Sequence, residues 1–204
     1  MLILGAILAG GQASRFGGPK GLALVAGITC VRRVRTVLDQ GCETVVISIG
    51  GKDQEDMTAR HPDLAEIEVV SDIRSHAGPV AALEAILEYA RKKGADGVIA
   101  AAWDCPFLPQ DMVSHLLAHR RTGAHPVMAL SGERAHPTAA FWPVAALPNV
   151  SQYLDAGQRR LTGLMDDLGA THAHWPEGPF DPFFNINTQH DLLEANRIAG
   201  HYQL

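Results

Sequence analysis

Apolar runs alternate with longer segments of mixed character along the first half of the chain. Four runs of aliphatic and β-branched residues predict buried strands near residues 2–8, 44–49, 67–71 and 97–102. Segments with apolar positions spaced three to four residues apart predict helices near 29–40, 53–60, 79–93 and 109–121. This alternation is typical of a parallel sheet with helices on both faces, so we expect a three-layer α/β/α fold.

The pattern changes after Pro126. Two antiparallel arms, two helices and a last short strand are predicted, near residues 127–130, 138–142, 143–156, 161–168 and 183–186. Thr188 is placed to cap a final helix that runs to about Ala199. We therefore expect a mixed, mostly parallel sheet whose later half faces a substrate.

The first predicted strand leads into a loop that is rich in glycine and carries two cations. Gly10 and Gly11 have no Cβ, so backbone N–H groups can close around phosphate oxygens. The Arg15 guanidinium can bind two oxygens, and Lys20 supplies a point charge. The loop lacks the hydroxyl that follows the lysine of a P-loop and the third-glycine spacing of a dinucleotide-binding turn. It predicts a polyphosphate site of another kind.

Asp104 follows the predicted strand at 97–102. This position is at the carboxyl edge of the sheet, where open α/β folds bind ligands. A carboxylate that faces a triphosphate needs a divalent cation between them, and Mg²⁺ suits one or two carboxylates with phosphate oxygens and water. The alternative is an N-cap of the helix near Pro109, but Asp104 lies several residues too early for that role. We therefore expect Asp104 to bind Mg²⁺.

Two further polar groups are candidate ligand contacts. Asp72 follows a predicted strand and leads to a turn at Gly78 and Pro79, so it either binds a base or ribose or is a solvent-facing turn residue. Asn185 and Asn187 face the same side of the last predicted strand and can address one ligand or a metal-bound water. Turn or capping asparagines are an equal alternative for this pair.

Composition excludes several classes of protein. The 204 residues carry a net charge of −5 with dispersed cations, which argues against a nucleic-acid partner. The first apolar segment is too short to cross a bilayer and has no basic residues before it, so we expect no signal peptide and no membrane contact. The three cysteines form an odd, unspaced set, which indicates reduced thiols in the cytoplasm. We expect a cytoplasmic enzyme.

Motifs along nearly the whole chain carry a resemblance to a known family. In chain order they are Leu8-Ala9-Gly10-Gly11, Arg15, Lys20-Gly21, Asp72, Gly78-Pro79, Asp104-x-Pro106, Gly132-Glu133-Arg134, His136-Pro137-Thr138, Arg159-Arg160 and Asn185-x-Asn187-Thr188. This order resembles that of the molybdenum cofactor guanylyltransferases, also called molybdopterin-guanine dinucleotide biosynthesis protein A. These enzymes transfer GMP from GTP to the terminal phosphate of molybdopterin. The loop before Lys20 departs from the family pattern, because it is one residue shorter and lacks an aspartate.

The resemblance implies a Rossmann-like nucleotidyltransferase fold in one domain, 1–204. Residues 1–125 would form the nucleotide-binding half and residues 126–204 the molybdopterin-binding half. It implies nucleotide contacts at Leu8, Ala9, Gly10, Gly11, Lys20, Asp72, Gly78, Pro79 and Asp104, with Arg15, Lys20 and Asp104 as the catalytic residues and Mg²⁺ on Asp104. It implies molybdopterin contacts at His136, Arg159, Arg160, Asn185 and Asn187, although His136 alternatively only orders the antiparallel arm.

Other functions remain open on the residues alone. A cytidylyltransferase that acts on molybdopterin or on a sugar or polyol phosphate shares the first loop, and a nucleotide-binding module without turnover is compatible with the shortened loop. The resemblance implies GTP and molybdopterin as substrates, with other molybdenum-cofactor biosynthesis and delivery proteins as further partners. We expect a monomer or a weak homo-oligomer.

Overall fold

The computed structural model describes residues 1–9, 16–49, 61–71, 74 and 78–204. Within these ranges the strands are β1 (Ile3–Ala9), β2 (Leu24–Val25), β3 (Ile28–Thr29), β4 (Thr44–Ile49), β5 (Glu68–Val69), β6 (Gly97–Ala102), β7 (Val127–Ser131), β8 (Arg134–Pro143) and β9 (Thr171–Trp175). The α-helices are α1 (Cys30–Leu38), α2 (Pro62–Ala65), α3 (Pro79–Lys92), α4 (Met112–Ala118), α5 (Leu147–Asp155), α6 (Leu161–Asp167) and α7 (Gln189–Tyr202). Short 3₁₀ turns lie at Lys20–Leu22 and Val144–Ala146.

Seven of these strands form one sheet, in the order β5-β4-β1-β6-β8-β7-β9. β1 pairs in parallel with both β4 and β6, and β4 pairs in parallel with β5. β8 runs antiparallel to β6 and β7, and β9 is parallel to β7. β2 and β3 form a separate hairpin. The prediction of a mixed, mostly parallel sheet is confirmed.

Helices cover both faces of the sheet. On one face, α1, α2 and α4 contribute residues such as Val34 and Leu116 to the core. On the other face, α3, α5 and α6 contribute residues such as Ile86 and Leu164. β1 lies between the two clusters with all seven of its residues buried, which explains why its sequence is a continuous apolar run. The predicted three layers are therefore present.

The last helix, α7, packs against the β2–β3 hairpin in a third apolar cluster. It begins with a capping box. Thr188 Oγ1 accepts the backbone N–H of Asp191, and the Asp191 carboxylate accepts the backbone N–H of Thr188. Gln189 Nε2 donates to the Phe16 carbonyl oxygen at 2.7 Å, and Asn196 Oδ1 accepts from a backbone N–H of the hairpin at 3.0 Å. These contacts bring the C-terminal segment next to the chain that contains Lys20.

The strand predicted at 183–186 is wrong. The Asp181 carboxylate accepts from the Phe183 N–H at 2.9 Å, and the Asp181 carbonyl accepts from the Phe184 N–H at 3.1 Å. These bonds form a turn, and the chain beyond it is tied to the segment that follows β6, because the Ile186 N–H donates to the Asp104 carbonyl at 2.9 Å. A side chain that accepts a backbone hydrogen bond within its own turn competes with strand pairing. In this segment the turn forms and the strand does not.

Other expectations need smaller changes or lie outside the described ranges. The helix predicted near 109–121 is limited to Met112–Ala118, and the one predicted near 143–156 begins with a 3₁₀ turn. The helix predicted near 53–60 falls on residues that the structure does not describe. None of the helices in the described ranges has the length and apolar composition needed to span a bilayer.

Candidate active site

Lys20 and Asp104 lie beyond the ends of two neighbouring strands, β1 and β6, which run in parallel. The turn that contains Lys20 packs closely on the residue before Asp104. A Cβ at Gly21 would lie 2.3 Å from Cε3 of the Trp103 indole, so only glycine permits this approach. The contact between Gly21 and Trp103 therefore holds Lys20 beside Asp104.

Lys20 lies between an amide and a carboxylate. Its Nζ donates to Asn187 Oδ1 at 2.6 Å and lies 3.5 Å from Asp104 Oδ2. The Lys20 and Asp104 side chains are 14% and 11% exposed, so their charges are only weakly screened by water. The separation of the two charges nevertheless exceeds that of a close ion pair, which is about 2.7–2.9 Å. The pair leaves capacity on both groups for a ligand.

Asn185 and Asn187 reach the same place from the segment before α7. Asn185 Nδ2 donates to Asp104 Oδ1 at 3.2 Å and to Cys105 Sγ at 3.1 Å. The backbone of Asn187 is anchored because its N–H donates to the Asp191 carboxylate at 2.8 Å. Burial raises the pKa of Asp191, but the N–H groups of Asn187 and Thr188 and the Thr188 side chain lower it on balance. The two amides therefore reach Asp104 and Lys20 without the strand that the sequence predicted.

Cys105 is a buried part of this site that the sequence did not single out. Burial raises the pKa of its thiol well above the ordinary value, and the negative charge of Asp104 acts in the same direction. The thiol is thus neutral, with Sγ 4.0 Å from the Phe183 carbonyl that it faces. All three cysteines are free, as expected, and burial also raises the pKa of Cys30 to about 12. In the sequence, only its position directly after Asp104 could have indicated that Cys105 belongs to the site.

The structure excludes the capping alternatives for these side chains. α4 begins at Met112 with Asp111 as its N-cap residue, so Asp104 caps no helix there. The N-cap of α7 is Thr188, and the two asparagine amides point to Asp104 and Lys20 instead. Lys20, Asp104, Asn185 and Asn187 therefore form one cluster.

The remaining nucleotide-side residues are only partly described. Gly10, Gly11, Arg15 and Asp72 lie outside the described ranges, so their contacts remain expectations. Leu8 and Ala9 are buried at the end of β1. Gly78 precedes α3 with φ 71°, a conformation that favours glycine, and Pro79 is the first residue of that helix. Gly78 and Pro79 thus form the start of α3.

His136 is buried in the second half of the chain. Its Nε2 is hydrogen bonded to Ser131 Oγ at 2.7 Å, and its ring stacks on Phe183 with centroids 4.6 Å apart. Burial lowers the pKa of His136; Asp181 opposes this shift and Arg134 adds to it. These contacts tie His136 to β7 and to the segment that leads to Asn185, and the contact with molybdopterin that the resemblance implies stays a prediction.

Arg159 and Arg160 lie in the connection between α5 and α6. Arg159 Nη1 donates to the carbonyl oxygens of Leu154 and Gln158 at 2.9 and 2.7 Å. The Arg160 carbonyl accepts from the Tyr153 hydroxyl at 3.0 Å. Across the described ranges, neither arginine has a hydrogen bond or ion pair with the Lys20–Asp104 cluster. The structure therefore does not bring them together with the other predicted site residues.

The donor set at Asp104 restricts the kind of metal that it could bind. In the part of the chain that the structure describes, no group of three or more histidine, cysteine, aspartate or glutamate side chains could hold a metal ion. A lone carboxylate fits a cation such as Mg²⁺, which keeps water and substrate phosphates as its other ligands. It does not fit a closed structural zinc site.

Known proteins resemble this chain over most of its length. Residues 5–172 match the family described as the MobA-like NTP transferase domain. The molybdenum cofactor guanylyltransferase of Rhodobacter capsulatus is 37% identical over 195 residues, which cover 96% of this chain and 95% of the relative.

Two solved structures share the fold. Molybdopterin-guanine dinucleotide biosynthesis protein A from Archaeoglobus fulgidus superposes with a TM-score of 0.76 at 23% identity, covering 97% of this chain and 99% of the other. A Mycobacterium tuberculosis protein solved in complex with manganese superposes with a TM-score of 0.71 at 14% identity, again covering 97% and 99%. With the match to the family and the relative at 37% identity, the chain belongs to the MobA-like NTP transferase family and is a nucleotidyltransferase.

Proposed function

We propose that this protein transfers GMP from GTP to the phosphate of molybdopterin and releases pyrophosphate. The observation that carries the proposal is the cluster of Lys20, Asp104, Asn185 and Asn187 at the carboxyl edge of the sheet. Such a site suits a polyphosphate with a divalent cation. The names of relatives that match nearly the whole chain support GTP and molybdopterin as the substrates. We place the reaction in the cytoplasm, in keeping with the three free thiols.

The chemistry needs positioning and charge neutralisation rather than a protein nucleophile. The phosphate of molybdopterin is already an anion; it forms a new bond to the α-phosphorus of GTP while the bond to pyrophosphate breaks. Lys20 neutralises phosphate charge in surroundings where water screens it weakly. Asn187 holds the Lys20 ammonium in place, so its charge needs little reorganisation during the reaction. We propose that Arg15 shares this task.

We propose that Asp104 binds Mg²⁺. When bound, the ion supplies additional neutralisation of the phosphate oxygens. Asp104 suits this role because its side chain is largely buried, yet its contacts at 3.2 and 3.5 Å leave both oxygens with acceptor capacity. The Mycobacterium tuberculosis protein of similar fold was solved with manganese, which supports a divalent cation in this fold.

We propose that the two halves of the chain divide the substrates. Residues 1–125 bind GTP, with Leu8, Ala9, Gly10, Gly11, Asp72, Gly78 and Pro79 as nucleotide contacts in addition to the cluster. Residues 126–204 receive molybdopterin, with Arg159 and Arg160 contributing from the connection between α5 and α6. Asn185 and Asn187 belong to the second half but contact Lys20 and Asp104 of the first, so the transferred group would cross at this boundary.

Pyrophosphate release measured with each of the four nucleoside triphosphates, with and without molybdopterin, tests the proposal. We expect release with GTP only when molybdopterin and Mg²⁺ are present. The Lys20→Met variant, purified in parallel, controls for contaminating activity. Preference for CTP would identify a cytidylyltransferase. Nucleotide binding without release under any condition would indicate a binding module without turnover.

A further inference from the structure

We infer that Asn185 and Asn187 present opposite hydrogen-bonding groups to the ligands: a carbonyl oxygen from Asn185 and an amino group from Asn187, with Cys105 as the positioning residue for Asn185. This assignment rests on the proposed function, because it takes the ligands to be phosphates and a divalent cation. It follows from which atoms of each amide are already used by the protein.

The orientation of the Asn187 amide follows from the chemistry of its partner. An ammonium only donates hydrogen bonds, so the amide atom 2.6 Å from Lys20 Nζ is Oδ1. In the described part of the chain, Asn187 Nδ2 has no hydrogen-bond partner. An amino group next to a cation suits an anion. Asn187 therefore donates to a phosphate oxygen, which belongs either to GTP or to molybdopterin.

The Asn185 amide has the reverse orientation. A carboxylate only accepts hydrogen bonds, so the amide atom 3.2 Å from Asp104 Oδ1 is Nδ2. The second N–H of this group goes to Cys105 Sγ at 3.1 Å. Both donors of Asn185 are thus used, and among the described residues its Oδ1 has no partner. A carbonyl oxygen beside a carboxylate suits a donor such as water bound to a divalent cation.

Cys105 decides which group Asn185 presents. With Asp104 alone as its partner, one N–H of Asn185 would lack an acceptor, and the amide could rotate to find one. The sulfur removes that freedom because it is itself fixed: Cys105 is 2% exposed and its thiol faces the Phe183 carbonyl. The role of Cys105 is therefore to accept one hydrogen bond, and a residue of similar size with an acceptor atom should replace it.

A double-mutant cycle between Lys20 and Asn187 tests the amino group. Metal-free GTP and molybdopterin are titrated separately by calorimetry into the wild type, Lys20→Met, Asn187→Ala and the double variant. If Asn187 donates to phosphate, Asn187→Ala weakens binding about 10-fold in both backgrounds, and the ligand affected shows whose phosphate is bound. If Asn187 acts only by holding Lys20, it has no effect in the Lys20→Met background, and the inference is overturned.

A second variant keeps the cycle decisive if Asn187→Ala folds poorly. Asn187→Asp retains an acceptor for Lys20 but lacks the amino group. We expect at least the same loss of affinity for the phosphate-bearing ligand as in Asn187→Ala. Affinity equal to or higher than that of the wild type would show that the contact with Lys20 is all that Asn187 provides.

Mn²⁺ binding in the presence of GTP tests Cys105, with free Mn²⁺ measured by electron paramagnetic resonance. We expect Cys105→Ala to weaken Mn²⁺ about 3- to 10-fold and Cys105→Ser to restore most of the affinity, because the hydroxyl can accept from Asn185. The control Cys42→Ala removes a thiol that lies away from the cluster and should change nothing. Equal losses in the alanine and serine variants would indicate packing alone, and no loss in Cys105→Ala would also overturn the inference. Failure of the wild type to bind GTP would instead refute the proposed function.

Discussion

Asp104 and Glu84 are the buried carboxylates among the described residues, and each pairs with a cation in a different way. Lys20 and Asp104 are 3.5 Å apart at the carboxyl edge of the sheet. Arg74 and Glu84 form a close pair, in which Arg74 Nε and Nη2 donate to the two Glu84 oxygens at 2.7 and 3.0 Å. The first is loose and the second is bidentate.

The difference lies in how closely protein partners engage the charged atoms. Besides Arg74, Glu84 accepts from Ser151 Oγ at 2.6 Å, and Arg74 Nη1 donates to Asp155 at 2.6 Å. Every nitrogen of Arg74 and both oxygens of Glu84 thus have a protein partner within 3.0 Å. In this sense the Arg74–Glu84 network is saturated, and it clamps α3 to α5. The Lys20–Asp104 pair keeps capacity on both partners. A buried charge with complete partners stabilises the fold, whereas one with incomplete partners is available to a ligand.

Lys20→Ala should have the largest effect, and it tests whether the loose Lys20–Asp104 pair serves catalysis. We expect turnover to fall on the order of 10²- to 10³-fold, the loss typical of one positioned electrostatic contact. The melting temperature should change little, because a loosely paired lysine contributes little packing. Pyrophosphate release and thermal melts measure the two effects. Lys92→Ala, at an exposed lysine of α3, is the control, and unchanged turnover in Lys20→Ala would remove Lys20 from the site.

Asp104→Asn tests the other partner of the loose pair. An amide is a poorer ligand for a hard cation than a carboxylate, so transfer should slow about 10- to 100-fold at limiting Mg²⁺, a loss in the range seen when partners of a metal site are removed. Binding of metal-free GTP should be unchanged or tighter, since a negative charge is lost. A Mg²⁺ titration that coincides with that of the wild type, or with that of the surface control Asp39→Asn, would make the metal assignment wrong.

The sequence predicted the loose pair better than the saturated one, for a physical reason. Lys20 and Asp104 follow apolar strand runs, and parallel neighbouring strands bring their ends together at one edge. The Arg74–Glu84 network has no comparable signal, because Ser151 lies 67 residues from Glu84 in the chain. Contacts between side chains so far apart depend on how helices pack, which no local pattern specifies.

The approach of the asparagines was predicted for a partly wrong reason. Their spacing suggested one face of a strand, but the backbone follows the Asp181 turn and the capping box of α7. Cys105 was missed because a single cysteine gives no spacing signal. The contacts expected of Arg15 and Asp72 stay predictions, since both residues lie outside the described ranges.

Glu84→Gln tests whether the saturated pair is structural. The substitution places an amide where the Arg74 guanidinium and the Ser151 hydroxyl need acceptors, so we expect the free energy of unfolding to fall by about 1 to 3 kcal/mol. Turnover per folded molecule should stay near that of the wild type. Urea unfolding measures the first quantity, with Glu88→Gln, a less buried carboxylate on the same helix that pairs with Arg91, as the control. A loss of turnover without a loss of stability would place Glu84 in the working site.

His136→Gln gives the smallest expected effect and extends the comparison to a second saturated cluster. Burial lowers the pKa of His136 below its ordinary 6.5 in the folded protein. Between the lowered value and 6.5 the unfolded chain therefore binds more protons, so His136 makes stability fall as the pH drops below about 6.5 and has no such effect above it. The slope from one proton is at most about 1.4 kcal/mol per pH unit.

The variant should lack this part of the pH dependence. Urea unfolding from about pH 5 to 8 should show a stability difference between wild type and His136→Gln that shrinks on acidification and is constant at neutral pH. His201→Gln, at an exposed histidine of α7, should run parallel to the wild type. If His136→Gln also ran parallel, the histidine would titrate in the folded state as it does in water. Its hydrogen bond to Ser131 would then not keep it neutral. The His136–Ser131 contact would resemble the loose Lys20–Asp104 pair rather than the saturated Arg74–Glu84 network.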